Sequence, residues 1–133
     1  MKFSSKANNL FILKQNNFNK EIPELLIFTV RDYVKDKSKI LSMISEKFKN
    51  CKLAIRSSNL KEDSSKNSYA GYFNSFLNIN SKSEKKIIGC IESVIKSYKK
   101  YSNNNNQILI QKMVSNIKIS GVASTCEIKN YSN

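Results

Sequence analysis

The chain of 133 residues contains no histidine. That removes the side chain on which most general acid–base and nucleophilic schemes at neutral pH depend. The three cysteines, Cys51, Cys90 and Cys126, are odd in number, widely spaced and without a CxxC pair. Neither a disulfide framework nor a zinc site is suggested, and three reduced thiols, at least two of them semi-buried, are expected. With three glycines in all, the chain carries neither a GxxxxGK[ST] loop nor a GxGxxG turn. No apolar run approaches the roughly 20 residues that a membrane span needs. The opening MKFSSKANNLFILKQ has no continuous apolar centre and no small-residue cleavage site. A cytoplasmic protein with no membrane partner is therefore expected. No internal repeat and no linker interrupts the chain, so residues 1–133 are read as one domain.

What is present is an apolar share of 40% and a net charge of +13, from 23 Lys and Arg against 10 Asp and Glu. The apolar content suits a globular core. The charge points to an anionic partner: a nucleic acid, a membrane face or a phosphorylated ligand. The lysines, however, are scattered singly or in pairs, which reads as compositional drift for most of them. Arg31 and Arg56 stand out as the unusual cations.

The pattern predicts alternating α and β elements. Ser5 to Gln15 has partly helical spacing behind a serine able to cap it. EIPELLIFTV reads as a strand with Pro23 at its edge. Arg31 to Asn50 reads as one amphipathic helix, with Tyr33, Ile40, Leu41, Ile44 and Phe48 three or four apart. KLAIR is a short strand. Phe73 to Ile79 is extended, with Phe73, Ser75, Leu77 and Ile79 on one side. Glu84 to Tyr101 is the strongest helix, its stripe formed by Ile87, Ile88, Ile91, Val94, Ile95 and Tyr98. Asn103 to Asn106 is a loop, QILIQKMV a strand and KISGVAST its antiparallel neighbour.

Between KLAIR and the next extended segment lies IRSSNLKEDSSKNSYAG, Ile55 to Gly71. An arginine at a strand tip followed by small hydroxyl residues suits a polyphosphate. The guanidinium is a planar, permanent fork for two oxygens. Ser57 and Ser58 add neutral donors, and Ala70 and Gly71 let backbone N–H groups approach closely. Glu62 and Asp63 suit either a magnesium ion or local turn capping. A ligand-free surface loop would have the same composition.

LAIRSSNLKEDSSKNSYAGYFNSFLNI resembles the nucleotide-binding signature of the phosphoenolpyruvate synthase and pyruvate phosphate dikinase family. Arg56, Ser57, Ser58, Glu62, Asp63, Ser68, Ala70, Gly71, Phe76, Leu77 and Asn78 match that signature. SSKANNL is similar to the family's Gly-Gly-Lys-Gly-Ala-Asn-Leu and keeps Lys6, Asn9 and Leu10. ILIQKMV followed by SGVAST is similar to its hinge strand and the strand after it. The resemblance covers nearly the whole chain in three ordered blocks.

The resemblance implies an α+β, ATP-grasp-like fold: the N-terminal part of a two-lobed nucleotide-binding domain, with a mixed sheet and flanking helices. It implies that Lys6 and Arg56 touch the phosphates of ATP and act in catalysis, neutralising charge on the transferring group. Ser57, Ser58, Ser68, Ala70 and Gly71 would contact the nucleotide, with Ser68 to Gly71 lying over the phosphates. Gln111, Lys112, Met113 and Val114 would border the adenine, with backbone groups of Met113 and Val114 reading its edge. ATP and Mg2+ are the implied cofactors, the metal ligands expected on strands beyond this chain. The parent reaction passes a phosphoryl group from ATP through a histidine to pyruvate or another small acceptor such as glutamine, as in the kinase-like branch of the superfamily.

The chain departs from the family where Ser4, Ser5 and Ala7 replace glycines and where Asn74 and Ser75 replace an acid and a threonine. The ending CEIKNYSN breaks off where another strand is expected. The expectation is thus the front piece of a larger phosphotransferase, truncated or split, whose remaining domains are its partners and which does not turn over alone. A rival reading is a small basic nucleic-acid-binding module in which Tyr69, Tyr72 and Phe73 stack on bases. A third is a degraded gene product that folds poorly around an unpaired sheet edge.

Overall fold

The computed structural model describes residues 5–16, 22–59, 74–98 and 103–121. Four strands form one sheet in the order β1-β4-β2-β3: β1 (Leu25–Thr29), β2 (Lys52–Ser58), β3 (Ser75–Asn80) and β4 (Gln107–Lys112). All three pairings are antiparallel. The α+β class read from the sequence is the class found. Alternation along the strands sorts their side chains onto two faces. Leu26, Phe28, Leu53, Ile55, Ile108 and Ile110 join the main core, and Leu25, Ile27 and Leu109 join a smaller cluster on the other face.

Helix α4 (Glu84–Ser97) covers the main-core face with Ile87, Cys90, Ile91 and Val94, and Tyr98 follows at its C-terminal cap. Ile91, Val94 and Tyr98 are fully buried. The short helix α2 (Val30–Lys35) and α3 (Lys37–Lys47) add Val30, Tyr33, Ile40 and Ile44 to the same core. Helix α1 (Lys6–Gln15) lies on the opposite face, where Ala7 and Leu10 pack with Leu25 and Leu109. Glu24 anchors this arrangement from the edge. It pairs with Lys14 of α1 at 2.8 Å and with Lys47 of α3 at 3.3 Å. The hydrogen bond from Lys14, more than any other contact, holds the Glu24 carboxyl below its ordinary pKa.

Four differences from the sequence reading have physical causes. The single helix expected over Arg31 to Asn50 is two, because Asp36 takes φ −151° and its carboxylate accepts from the Lys39 N–H at 2.9 Å, starting α3 afresh. Strand β2 does not stop at Arg56 but runs on through Ser57 and Ser58, which pair with Ile108 and Gln107. In β3 the alternation breaks. Ile79 pairs with Leu53 but Phe76 with Ile55, so β3 uses one residue more than β2, and Asn78 takes φ +60° there. Phe76 and Ile79 therefore both reach the core while Leu77 stays half exposed. Finally, Lys118–Gly121 forms no strand beside β4, since β1 and β2 already occupy both of its edges. The remainder of KISGVAST lies outside the described residues.

The turn into α2 is fixed by a reciprocal cap. The Thr29 hydroxyl accepts from the Asp32 N–H at 3.1 Å, and the Asp32 carboxylate accepts from the Thr29 N–H at 2.9 Å. The backbone bond from Thr29, followed by that from its hydroxyl, lowers the Asp32 pKa. A carboxyl whose pKa is depressed on folding contributes stability above its unfolded pKa and loses it as pH falls through the folded value. Asp32→Ala should therefore destabilise the protein by about 1 kcal/mol at neutral pH. The difference from the parent chain should shrink below the ordinary aspartate range, as read by urea denaturation at several pH values. An Asp32→Ala deficit that grows on acidification would contradict this.

Candidate functional site

At the Ser58 end of β2, four elements meet in one hydrogen-bonded node. The Tyr98 hydroxyl accepts from the Ser58 N–H at 3.1 Å and donates to the Gln107 carbonyl. Ser58 and Gln107 are a register pair of β2 and β4, so the phenol occupies the last rung of that ladder. The Ser58 hydroxyl accepts from the Ala7 N–H of α1 at 2.9 Å. The Gln107 side chain accepts from the Ser5 hydroxyl and donates to the Asn8 side-chain oxygen Oδ1 at 2.9 Å. The N-cap of α1 is closed in the same place, since the Ser5 hydroxyl accepts from the Asn8 N–H at 3.3 Å. The first-turn N–H groups of Ala7 and Asn8 are thus committed inside the protein.

This node sets the positions of the two predicted phosphate contacts. Arg56 pairs with Leu109, which belongs to the cluster under α1, so Arg56 and Ser58 project from the face that α1 covers. Lys6 opens α1 and precedes Ala7, whose N–H is bonded to Ser58. Arg56 and Ser58 therefore share the face on which α1 begins, with Lys6 at the first position of that helix. Ser57 does not join them. It pairs with Ile108, a residue of the main core, and is buried on the opposite face. A ligand bound beside Arg56 is out of its reach. Ser58 is likewise buried, and its hydroxyl serves the α1 N-terminus first.

The residues predicted to border a base lie at the other end of the same strand pair. Gln111 pairs with Ala54 and shares the face of Arg56, whereas Lys112, at the next position, turns to the other side. The Met113 N–H donates to the Lys52 carbonyl at 2.9 Å, and the Asn78 N–H points to the Met113 sulfur at 3.0 Å. The Met113 N–H is therefore spent on the sheet. Its carbonyl and the backbone of the exposed Val114 are what remain for an edge-on contact. Lys112, Met113 and Val114 line an open cavity of about 690 Å³. From the level of Leu109, opposite Arg56, to Met113 is four residues of strand, roughly 13 Å. That is the reach of an extended nucleoside triphosphate.

Ser68, Ala70 and Gly71 lie outside the described residues, as do Glu62, Asp63, Tyr69, Tyr72, Phe73 and Cys126. Among the described residues no group of three His, Cys, Asp or Glu side chains could hold a metal ion. Cys51 and Cys90 are free thiols, and burial raises the Cys90 pKa. No helix among the described residues is long and apolar enough to cross a membrane. The sequence reading missed Tyr98 and Gln107 as organisers of the site. The available signal was a polar glutamine heading the apolar run ILI, and a tyrosine closing an otherwise aliphatic helix stripe.

An α+β domain whose sheet carries an arginine and a helix-borne lysine on one face has the character of an anion-binding module. Residues 13–133 match the family described as pyruvate phosphate dikinase, AMP/ATP-binding domain. The chain belongs to that family, and so is an ATP-binding portion of the dikinase type. Lys6 precedes the matched span. No curated protein and no solved structure matches the chain.

Two substitutions test the node. Tyr98→Phe keeps the packing but strands the buried Ser58 N–H and the partly buried Gln107 carbonyl, and should cost about 1–3 kcal/mol in urea denaturation. Ser58→Ala removes the acceptor of the Ala7 N–H and should speed hydrogen exchange at Ala7 and Asn8 while leaving the amides of α4 protected. Unchanged exchange at Ala7 would show that α1 is held by other contacts.

Proposed function

We propose that this chain grips ATP along the α1 face of β2 and β4 and serves as the nucleotide-binding part of an ATP-grasp phosphotransferase. The observation that supports the reading is that Arg56 shares a face with Gln111 and with the start of α1, the helix that Lys6 opens. Arg56 supplies a planar fork and Lys6 a compact point charge, two complementary ways of neutralising a polyphosphate. The base lies toward Gln111, Lys112, Met113 and Val114, and the segment with Ser68, Ala70 and Gly71 covers the phosphates. Ser57 structurally supports the strand on its core side.

ATP supplies the phosphoryl group. The residues of this chain bind it, orient it and offset the negative charge of its tail. With no histidine in the chain, the phosphoryl carrier belongs to another domain or subunit. The acceptor is pyruvate or another small molecule such as glutamine. The ligands of Mg2+ belong to segments that complete the site, and the isolated chain binds ATP without turnover.

Calorimetry with Mg-ATP tests the reading. Arg56→Ala should weaken binding about ten- to a hundredfold, the range for losing a charge-assisted pair of hydrogen bonds. An affinity unchanged by Arg56→Ala would remove Arg56 from the phosphate site.

A further inference from the structure

The cavity of about 690 Å³ has a charge character that a neutral base does not explain. Lys49, Lys52, Lys82 and Lys112 line it, and no carboxylate does. The four come from four separate stretches: the segment after α3, the start of β2, the turn after β3 and the end of β4. None of them forms an ion pair with a described carboxylate, in contrast to Lys14, Lys37 and Lys47. Glu84 lines the adjoining apolar cavity together with Lys49 and Lys82 but pairs with neither.

The walls are held in place without a ligand. The Ser81 N–H donates to the Cys51 carbonyl at 3.0 Å, and the Cys51 N–H donates to the Ser81 hydroxyl at 3.1 Å. The Met113 N–H closes onto Lys52. Two asparagines on the lining, Asn50 at φ +51° and Asn78 at φ +60°, hold left-handed backbone that shapes the rim. A concave site lined by one sign of charge focuses potential and concentrates counter-ions, more strongly than the same lysines spread over a convex surface. The volume falls in the range of sites for small ligands.

We infer that this cavity is a binding site for a small polyanion of the polyphosphate class, separate from the Lys6 and Arg56 cluster at the other end of β2. The inference goes beyond the proposed ATP grip by assigning a second anion site. A linear polyphosphate has oxygens enough to meet several ammonium groups at once. Exposed lysines contribute modestly each and are screened by salt. The affinity is therefore collective.

The polyphosphate can be free or the tail of a nucleotide, and one set of titrations separates the two. The whole chain is titrated by calorimetry with inorganic tripolyphosphate, Mg-ATP and adenosine, in three forms: unaltered, Lys52→Gln/Lys82→Gln and Arg56→Ala. Circular dichroism checks that each variant is folded. Tripolyphosphate should bind the unaltered chain, lose up to about twenty-fivefold in affinity at the cavity in the double lysine variant, and keep that lysine-dependent binding in Arg56→Ala. Tripolyphosphate binding that fails altogether, or that responds to Arg56→Ala and not to the lysine pair, overturns the inference and leaves the ATP grip standing. If Mg-ATP falls with the lysine pair and ignores Arg56→Ala, the cavity holds a nucleotide's tail. The inference then stands as to ligand class and the Arg56 reading fails.

Discussion

One phenolic hydroxyl sets the geometry of the end of the sheet where the candidate site lies. The Tyr98 hydroxyl takes the last rung between β2 and β4, receiving from Ser58 and giving to Gln107. A direct backbone bond at that rung would draw the two strand ends together. The phenol keeps both groups satisfied, the Ser58 N–H being buried and the Gln107 carbonyl partly so. Because Tyr98 is anchored by α4 on one face, and the side chains of Ser58 and Gln107 hold α1 on the other, the rung also ties the two layers across the sheet. The positions of Arg56 and Lys6 follow from this junction. Arg56 is two residues back along β2, and Lys6 is one residue before the amide that Ser58 captures.

Much of the fold was legible because local pattern and tertiary burial agree. The stripe of Ile87, Ile91, Val94 and Tyr98 is the buried face of α4, and Ser5 caps α1 as its position suggested. Two of the failures share one cause, side chains whose effect on the backbone is local. Asp36 restarts a helix that hydrophobic spacing alone would run straight through, and Asn78 adds a residue to β3 that shifts alternation by one. The hydroxyl run after Arg56 looked like loop on composition. β4 nevertheless pairs with Ser57 and Ser58, and pairing with a strand nearly fifty residues later cannot be seen from the run itself.

The site divides in the same way. The pairing of an arginine with a distant lysine came from an ordered family pattern, and the sheet brings both to one face. Strand alternation, however, separates Ser57 from Arg56, although they are neighbours in sequence. It also leaves the Met113 N–H within the ladder. The four cavity lysines were illegible for the opposite reason. Each is unremarkable among 23 basic residues, and only the ends of α3, β2, β3 and β4 bring them together. The two cationic groups lie at opposite ends of β2, so a single short strand organises both.

The strand order has a consequence for how the protein comes off the ribosome. β4 sits between β1 and β2, yet it is the last of the four to be translated. Until residue 112 has cleared the exit tunnel, β1 lacks its partner and β2 and β3 present a pair with one open edge of unpaired backbone groups. The chain must therefore wait with sticky edges during the synthesis of α4, and the late arrival of β4 closes two seams at once. Unpaired strand edges of that kind are open to pairing with other chains until the sheet is complete.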